Sequence, residues 1–367
     1  MDEVKTLAER KLARAANGAG PKRYPFCALA GQRTYQLTSA RAWTSGFFPA
    51  ELWLMYQQTG DGAWLSRARR STAGLIGVAG WSGTHDLGFM VGLPVGLAAE
   101  LDPSPRRRAK YRAAYRKAAV SLSRRWNGRV GAIKSDEFGG KWGLIVDSAM
   151  NAPLLIDAGQ SIGGRRGQKL QDRGTRHMRT LARYFVRGDG STAHRLVFNR
   201  RTGKLIGSTP GQGFSGSSTW SRGQAWAIYG FAQAFTLTRD PQLLATAMKL
   251  ADYWLRHVPA GCVPAWDFDA RGKHPIPDSS AASIAAAGLL RLSGVASDPA
   301  RADAYRRTAV ATLDALTSSK WTPRQSTNPG ILQGQSWDVP AIPREGSYVW
   351  GDAYLLNALW REMKNPR

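Results

Sequence analysis

The chain has 367 residues, 43% hydrophobic and 21% charged, with only 2 Cys. That composition excludes a disordered chain, a disulfide scaffold and a Cys-rich zinc module, and no run of about 18 apolar residues is present to span a membrane. A formal charge of +25, from 51 Lys and Arg against 26 Asp and Glu, attracts polyanions; nucleic acid, an acidic polysaccharide or simply an Arg-rich solvated surface would each account for it.

The first segment, 4–17, is amphipathic and charged and lacks the apolar core of a signal peptide, so the chain reads as soluble and cytoplasmic. Helical periodicity predicts further helices near 46–58, 62–78, 86–100, 107–125, 146–158, 169–186, 218–237, 241–257, 279–293, 299–317 and 348–363. Leu52, Met55 and Tyr56 share one face; Leu244, Ala247, Met248, Ala251 and Leu255 form a second stripe. Ala282 to Leu290 is small and apolar apart from Ser283, as in a buried helix. Pro49, Pro94 and Pro153 suit first helical turns, where the missing N–H has no partner to lose. Thr59-Gly-Asp61 and Thr238-Arg-Asp-Pro241 each join two helices. Strand signals are few: Arg195–Phe198, Gly261–Val263 and the region after Trp321. Paired helices repeating every 40–60 residues or so, with no linker-like break, predict one closed all-α domain over 1–367. Its long loops are Gly-rich and aromatic-rich, at 80–84, 138–143 and 209–216.

Those loops hold the candidate chemistry. The chain has 14 Trp, and Trp43, Trp81, Trp142, Trp220, Trp226 and Trp266 stand beside polar residues, as in a cleft that stacks sugar rings. Three acidic segments follow: Thr84-His-Asp86-Leu-Gly-Phe89, Ile145-Val-Asp147-Ser-Ala-Met-Asn151, and Trp266-Asp-Phe-Asp269 with Asp278-Ser-Ser280. A carboxyl among apolar neighbours titrates high enough to serve as a general acid. The same Asp at a helix start is equally a cap; for Asp86 and Asp147 both readings stand, and for Asp278 the cap is at least as good. Ser218, Arg222 and Trp226 fall at four-residue steps on one helical face. Arg222 either clamps a carboxylate beside a Trp platform or stacks on Trp at a helix contact. The five His, at 85, 177, 194, 257 and 274, show no metal-binding spacing. Gly211-Gln-Gly-Phe-Ser-Gly216 matches a dinucleotide motif, but Thr209-Pro210 and no strand precedes it.

Together the segments resemble the unsaturated glucuronyl hydrolases, glycoside hydrolase family 88. The resemblance runs from Trp43 to Leu359 and rests on Trp43-Thr-Ser-Gly-Phe-Phe-Pro-Ala-Glu-Leu-Trp53, His85-Asp-Leu-Gly-Phe89, Val146-Asp-Ser-Ala-Met-Asn151, Ser218-Thr-Trp-Ser-Arg-Gly-Gln-Ala-Trp226 and Asp278-Ser-Ser-Ala-Ala282. It implies an (α/α)6 barrel of six helix hairpins. It further implies hydration of the C4=C5 vinyl ether of a 4,5-unsaturated uronic acid at the non-reducing end of lyase-generated oligosaccharides. Carried over, Asp147 is the general acid/base and Asp86 its carboxylate partner. Trp43, His194, Gln212, Arg222 and Trp226 are then the substrate-binding set. No metal, nucleotide or redox cofactor is implied, and no nucleic-acid or membrane partner is expected. Two departures stand out: Ala353 in Trp350-Gly-Asp-Ala-Tyr354 replaces a common aromatic, and Leu332 to Ser347 lacks the Lys that relatives accepting sulfated disaccharides carry there. The alternatives are an unsaturated rhamnogalacturonyl hydrolase with the same barrel, and a non-catalytic polyanion-binding protein.

Overall fold

The computed structural model describes residues 2–272 and 275–363, so His274 lies outside the described residues. Each predicted helical segment holds a helix. In chain order these are α1 (Asp2–Gly18), α2 (Phe47–Thr59), α3 (Gly62–Val78), α4 (Leu93–Leu101), α5 (Pro105–Ser123), α6 (Ser148–Asn151), α7 (Pro153–Ile162), α8 (Gly164–Tyr184), α9 (Ser221–Thr238), α10 (Pro241–His257), α11 (Ser279–Ser293), α12 (Pro299–Leu316) and α13 (Val349–Asn357). A wide π-type turn, Gly88–Gly92, leads into α4, and another, Ala358–Glu362, follows α13. The starts are chemically marked. Ser104, Asp240 and Asp298 each cap a helix through the side chain, and Pro105, Pro241 and Pro299 take the first position behind them.

Burial divides the helices into two rings. Every residue of α13 is buried, as is every residue of α11 from Ser279 to Leu290, which is the signature of a helix enclosed on all sides. By contrast α8 buries only Gly167, Leu170, Gly174, His177, Met178 and Leu181, a single stripe. The enclosed helices α2, α4, α7, α9, α11 and α13 form the inner ring, closed where α13 packs on α2. Outside them α3, α5, α8, α10 and α12 each fold back on the preceding inner helix, and α1 packs against α2. The fold is therefore the (α/α)6 barrel. Because each outer helix returns the chain antiparallel, all inner helices point the same way, and the loops preceding them gather at one end.

That end carries strands that periodicity does not announce: β1 (Tyr24–Leu29), β2 (Gln36–Thr38), β3 (Trp126–Asn127), β4 (Ala132–Ile133), β5 (Asp136–Phe138), β6 (Lys141–Ile145), β7 (Arg195–Phe198), β8 (Leu205–Thr209) and β9 (Gly346–Tyr348). They form three small antiparallel sheets, ordered β2-β1-β9, β3-β4 and β5-β6-β7-β8. Arg195–Phe198 is a strand as expected, and β9 answers the region after Trp321. Gly261–Val263 is not a strand: Cys262 has φ 62° and its N–H bonds to Pro259 O at 2.8 Å, closing a turn. The expected helix 218–237 also starts late, at Ser221. Residues 219–221 instead bond along 266–268, with Phe268 N–H to Thr219 O at 2.9 Å and Ser221 N–H to Trp266 O at 3.0 Å. Ser218 thus lies off the helical face that Arg222 and Trp226 share.

Candidate active site

The two acids come from adjacent loops stapled by backbone contacts. Strand β6 leads into Asp147, and Val146 N–H bonds to His194 O at 3.0 Å, fixing the loop to the start of β7. Asp86 precedes the π-type turn, and its main-chain oxygen accepts from Met90 N–H at 2.9 Å. Asn151 on α6 accepts from Phe89 N–H at 3.2 Å and so ties one loop to the other. Gly88 makes this approach possible, since a Cβ there would fall 2.6 Å from Asn151 Cα.

Neither acid is a cap. Asp147 stands at the N-terminus of α6 yet makes no side-chain capping bond, and its Oδ2 is buried without a partner. Asp86 accepts from Thr84 Oγ1 at 2.8 Å and lies 3.3 Å from His85 Nε2. Its side chain remains half-buried while Asp147 is 7% exposed. Burial, reinforced by the Asp86 charge, pushes Asp147 up to about 7, although its own backbone N–H and the Arg222 and Arg195 charges pull the other way. Asp278 is the cap: it accepts from Ser280 and Ala281 N–H. Asp267 and Asp269 are also committed, holding Phe214 N–H and Ser218 Oγ, and Thr219 N–H, respectively.

His194 faces Asp147, with Nε2 3.7 Å from Oδ2 and neither atom hydrogen-bonded. Its Nδ1 lies 2.8 Å from Gln212 N and 3.2 Å from Pro210 O; the shorter contact, from an N–H that can only donate, is met when the proton of the neutral ring sits on Nε2. Burial drives its pKa down to about 3, which keeps the ring neutral. Gln212 reaches on to donate to Trp337 O at 3.0 Å. Trp43 is half-buried and stacks on Trp350 at 5.0 Å and 30°. Trp226 is fully buried against Phe89 at 5.0 Å and Tyr354 at 5.2 Å, forming floor rather than wall.

Arg222 takes the interior arrangement of the two that its spacing allowed. It is 1% exposed and ion-paired to Asp278. It also donates to Ser336 O at 2.6 Å and Trp337 O at 2.5 Å. Its guanidinium lies between Trp220 at 4.6 Å and Trp350 at 5.4 Å. It clamps α9, α11 and the 336–337 loop together beneath the cleft. Arg222→Lys keeps the charge but loses the planar fork. Losing two hydrogen bonds worth about 1–1.5 kcal/mol each, the variant should unfold at clearly lower denaturant with KM little changed. An equally stable protein with a raised KM would instead make Arg222 a direct ligand.

The Trp350-Gly-Asp352 stretch is a brace for the loop beside the cleft. Asp352 accepts from Ile331 and Leu332 N–H, both at 2.8 Å, and Trp350 Nε1 donates to Ser280 Oγ at 3.0 Å. The motif therefore fixes the 331–337 loop to α11 and α13 and sets the aromatic wall. Ala353 is buried within α13. Among the described residues, no three of His, Cys, Asp and Glu converge as a metal-binding group.

No family profile matches the chain. Full-length comparisons do. An unsaturated glucuronyl hydrolase of Bacillus sp. strain GL1 is 33% identical over 346 residues, covering 90% of this chain and 89% of that one. The chain belongs to the unsaturated glucuronyl hydrolases. Another relative, named unsaturated chondroitin disaccharide hydrolase, from Streptococcus pyogenes serotype M1, is 30% identical over 90% of this chain and 84% of its own. The crystal structure of an unsaturated glucuronyl hydrolase specific for heparin superposes with a TM-score of 0.91 at 29% identity, covering 99% of this chain and 97% of that one. The family's ring of hairpins is thus the one built here.

Proposed function

We propose that the chain acts as one catalytic unit that releases a 4,5-unsaturated uronic acid from the non-reducing end of oligosaccharides, by hydrating the C4=C5 vinyl ether. The observation that carries this is Asp147: a buried carboxyl titrating near 7, with one oxygen unpartnered, beside the half-buried Asp86. The protonated Asp147 gives its proton to C4, and positive charge develops at C5 and the ring oxygen. Asp86 stabilises that charge. Asp147, now a carboxylate, takes a proton from water as the water oxygen bonds to C5. The resulting hemiketal opens and the glycan leaves.

Trp43 stacks on the sugar, while His194, through Nε2–H, and Gln212 hold hydroxyl or carboxylate oxygens. Trp226 closes the floor, and Arg222 positions the wall. The family membership and the relatives named for heparin and for chondroitin disaccharides support a uronic-acid substrate of the glycosaminoglycan kind. A cytoplasmic place of action is supported by two cysteines that stand unpaired, Cys27 and Cys262. Among the described residues no helix is long and apolar enough to cross a membrane.

The pH dependence tests the acid. Asp147 must be protonated to donate, so kcat/KM should hold below about pH 7 and then fall about tenfold per unit as the proton is lost. A profile of kcat/KM between pH 5 and 9 reads this directly. Rates flat to pH 9 would assign the proton to another group.

A further inference from the structure

Arg195 is a cation that makes no side-chain hydrogen bond or ion pair among the described residues. It follows His194 on β7, where it pairs with Ile145 of β6 and Thr209 of β8. Strand β6 runs directly into Asp147, so a short rigid ladder brings Arg195 within electrostatic reach of the proposed acid. The guanidinium lies over the Phe138 ring at 4.1 Å and is half-buried. Its Nε is buried with no hydrogen-bond partner. Glycine at 211, with φ 57°, lets the 209–216 loop close over this pair: a Cβ there would sit 2.3 Å from His194 Nδ1 and 3.2 Å from Arg195 Nε. Asp147, Asp338 and Asp136 act on Arg195 electrostatically, yet among the described residues none closes an ion pair with it.

Arg222 is the opposite case, since its charge is matched by Asp278 and its donors are spent on Ser336 O and Trp337 O. A half-buried guanidinium with unused donors carries a desolvation cost that an anionic ligand would offset. The substrate of the proposed reaction brings such an anion. Its carboxylate is on C5, one bond from the carbon that Asp147 protonates, so its counter-charge must stand beside Asp147.

We propose that Arg195 binds the C5 carboxylate of the unsaturated uronic acid through its planar fork. The assignment rests on the hydrolase reading above, and it makes Arg195 a substrate-binding residue. Arg can hold a carboxylate with two parallel N–H bonds, which a Lys cannot reproduce. Arg195 thereby orients the sugar so that C4 faces the acid.

The test is a binding titration in the Asp147→Asn background, which removes the proton donor and lets the disaccharide persist. An unsaturated uronyl disaccharide with a neutral leaving sugar, and its methyl ester, are titrated into D147N and into D147N/R195Q. The expected result is a loss of roughly 10- to 100-fold in affinity for the acid on removing Arg195, as for one charge-assisted contact. The methyl ester should bind both proteins equally. R195K should recover only part of the loss. Equal affinity of both proteins for the acid, or a loss just as large with the ester, overturns the assignment. So does a loss seen only when the leaving sugar is sulfated, which places the anion at that sugar instead. Because the readout is binding, it stands apart from the hydrolase reading, which fails if the wild-type protein never consumes the same disaccharide.

Discussion

Asp147→Asn should lower turnover by about 10²–10⁴, the usual cost of losing a positioned general acid or base. The amide matches the carboxyl in shape but delivers no proton to C4. The same variant should be at least as well folded, and the sign of its pH dependence identifies the cause. In the unfolded chain an Asp ionises near pH 4, whereas in the fold burial keeps Asp147 protonated up to about 7. Between those values the native state holds the extra proton, so stability falls as pH rises, and the full cost applies above 7. Asn carries no such cost. Relative to wild type, the variant should therefore gain stability from pH 4 to pH 8, by up to roughly 4 kcal/mol. Denaturant midpoints at the two pH values measure it. A variant with near-wild-type turnover removes Asp147 from the chemistry, and one that fails to gain stability with pH shows that the carboxyl is not held protonated.

The second large effect is expected at Asp86. Asp86→Asn removes the negative charge that stabilises the cationic transition state, and it also removes one of the forces raising Asp147. Turnover should fall by about 10²–10³, comparable to losing one preorganised electrostatic group. The surviving activity should lose its high-pH limb earlier, because Asp147 would then ionise at lower pH. The contacts Asp86 makes with Thr84 and His85 survive in an amide of suitable rotamer, so folding should change little. Comparing kcat and KM decides the role: preserved turnover with weakened binding would make Asp86 a ligand for the sugar alone.

The barrel was legible because its helices carry two clear signals. Outer helices repeat apolar residues on one face, and inner ones such as 282–290 are apolar throughout. Asp and Ser caps followed by Pro mark several starts. The loop-end sheets were not legible, since segments of two to six residues pair with distant partners and lack a period of their own. The late start of α9 has the same origin, because Ser218, Thr219 and Trp220 are recruited by 266–269, one hairpin later in sequence. The acids were found by their neighbours, but cap and catalyst share one local pattern; what separates them is whether a backbone N–H reaches the carboxylate. Asp278 receives two such bonds from the first turn of the helix that follows it, and Asp147 none from its own. The spacing around Arg222 leaves its direction open because its partner Asp278 and the 336–337 carbonyls are remote in sequence. Arg195 stood unremarked, since one Arg among many in a basic chain has no local signature. It stands out only when hydrogen-bond partners are counted.

The proposed hydration consumes a C4=C5 double bond, and that bond absorbs in the ultraviolet. The decisive measurement follows the loss of that absorbance when the purified protein meets a panel of lyase-generated disaccharides, with Asp147→Asn as the control. The absorbance should decay with at least one unsaturated uronyl disaccharide, with release of its partner sugar, and should persist in the variant. Absorbance that stays constant across the panel while the disaccharides bind would contradict the account and leave a protein that holds these glycans without cleaving them.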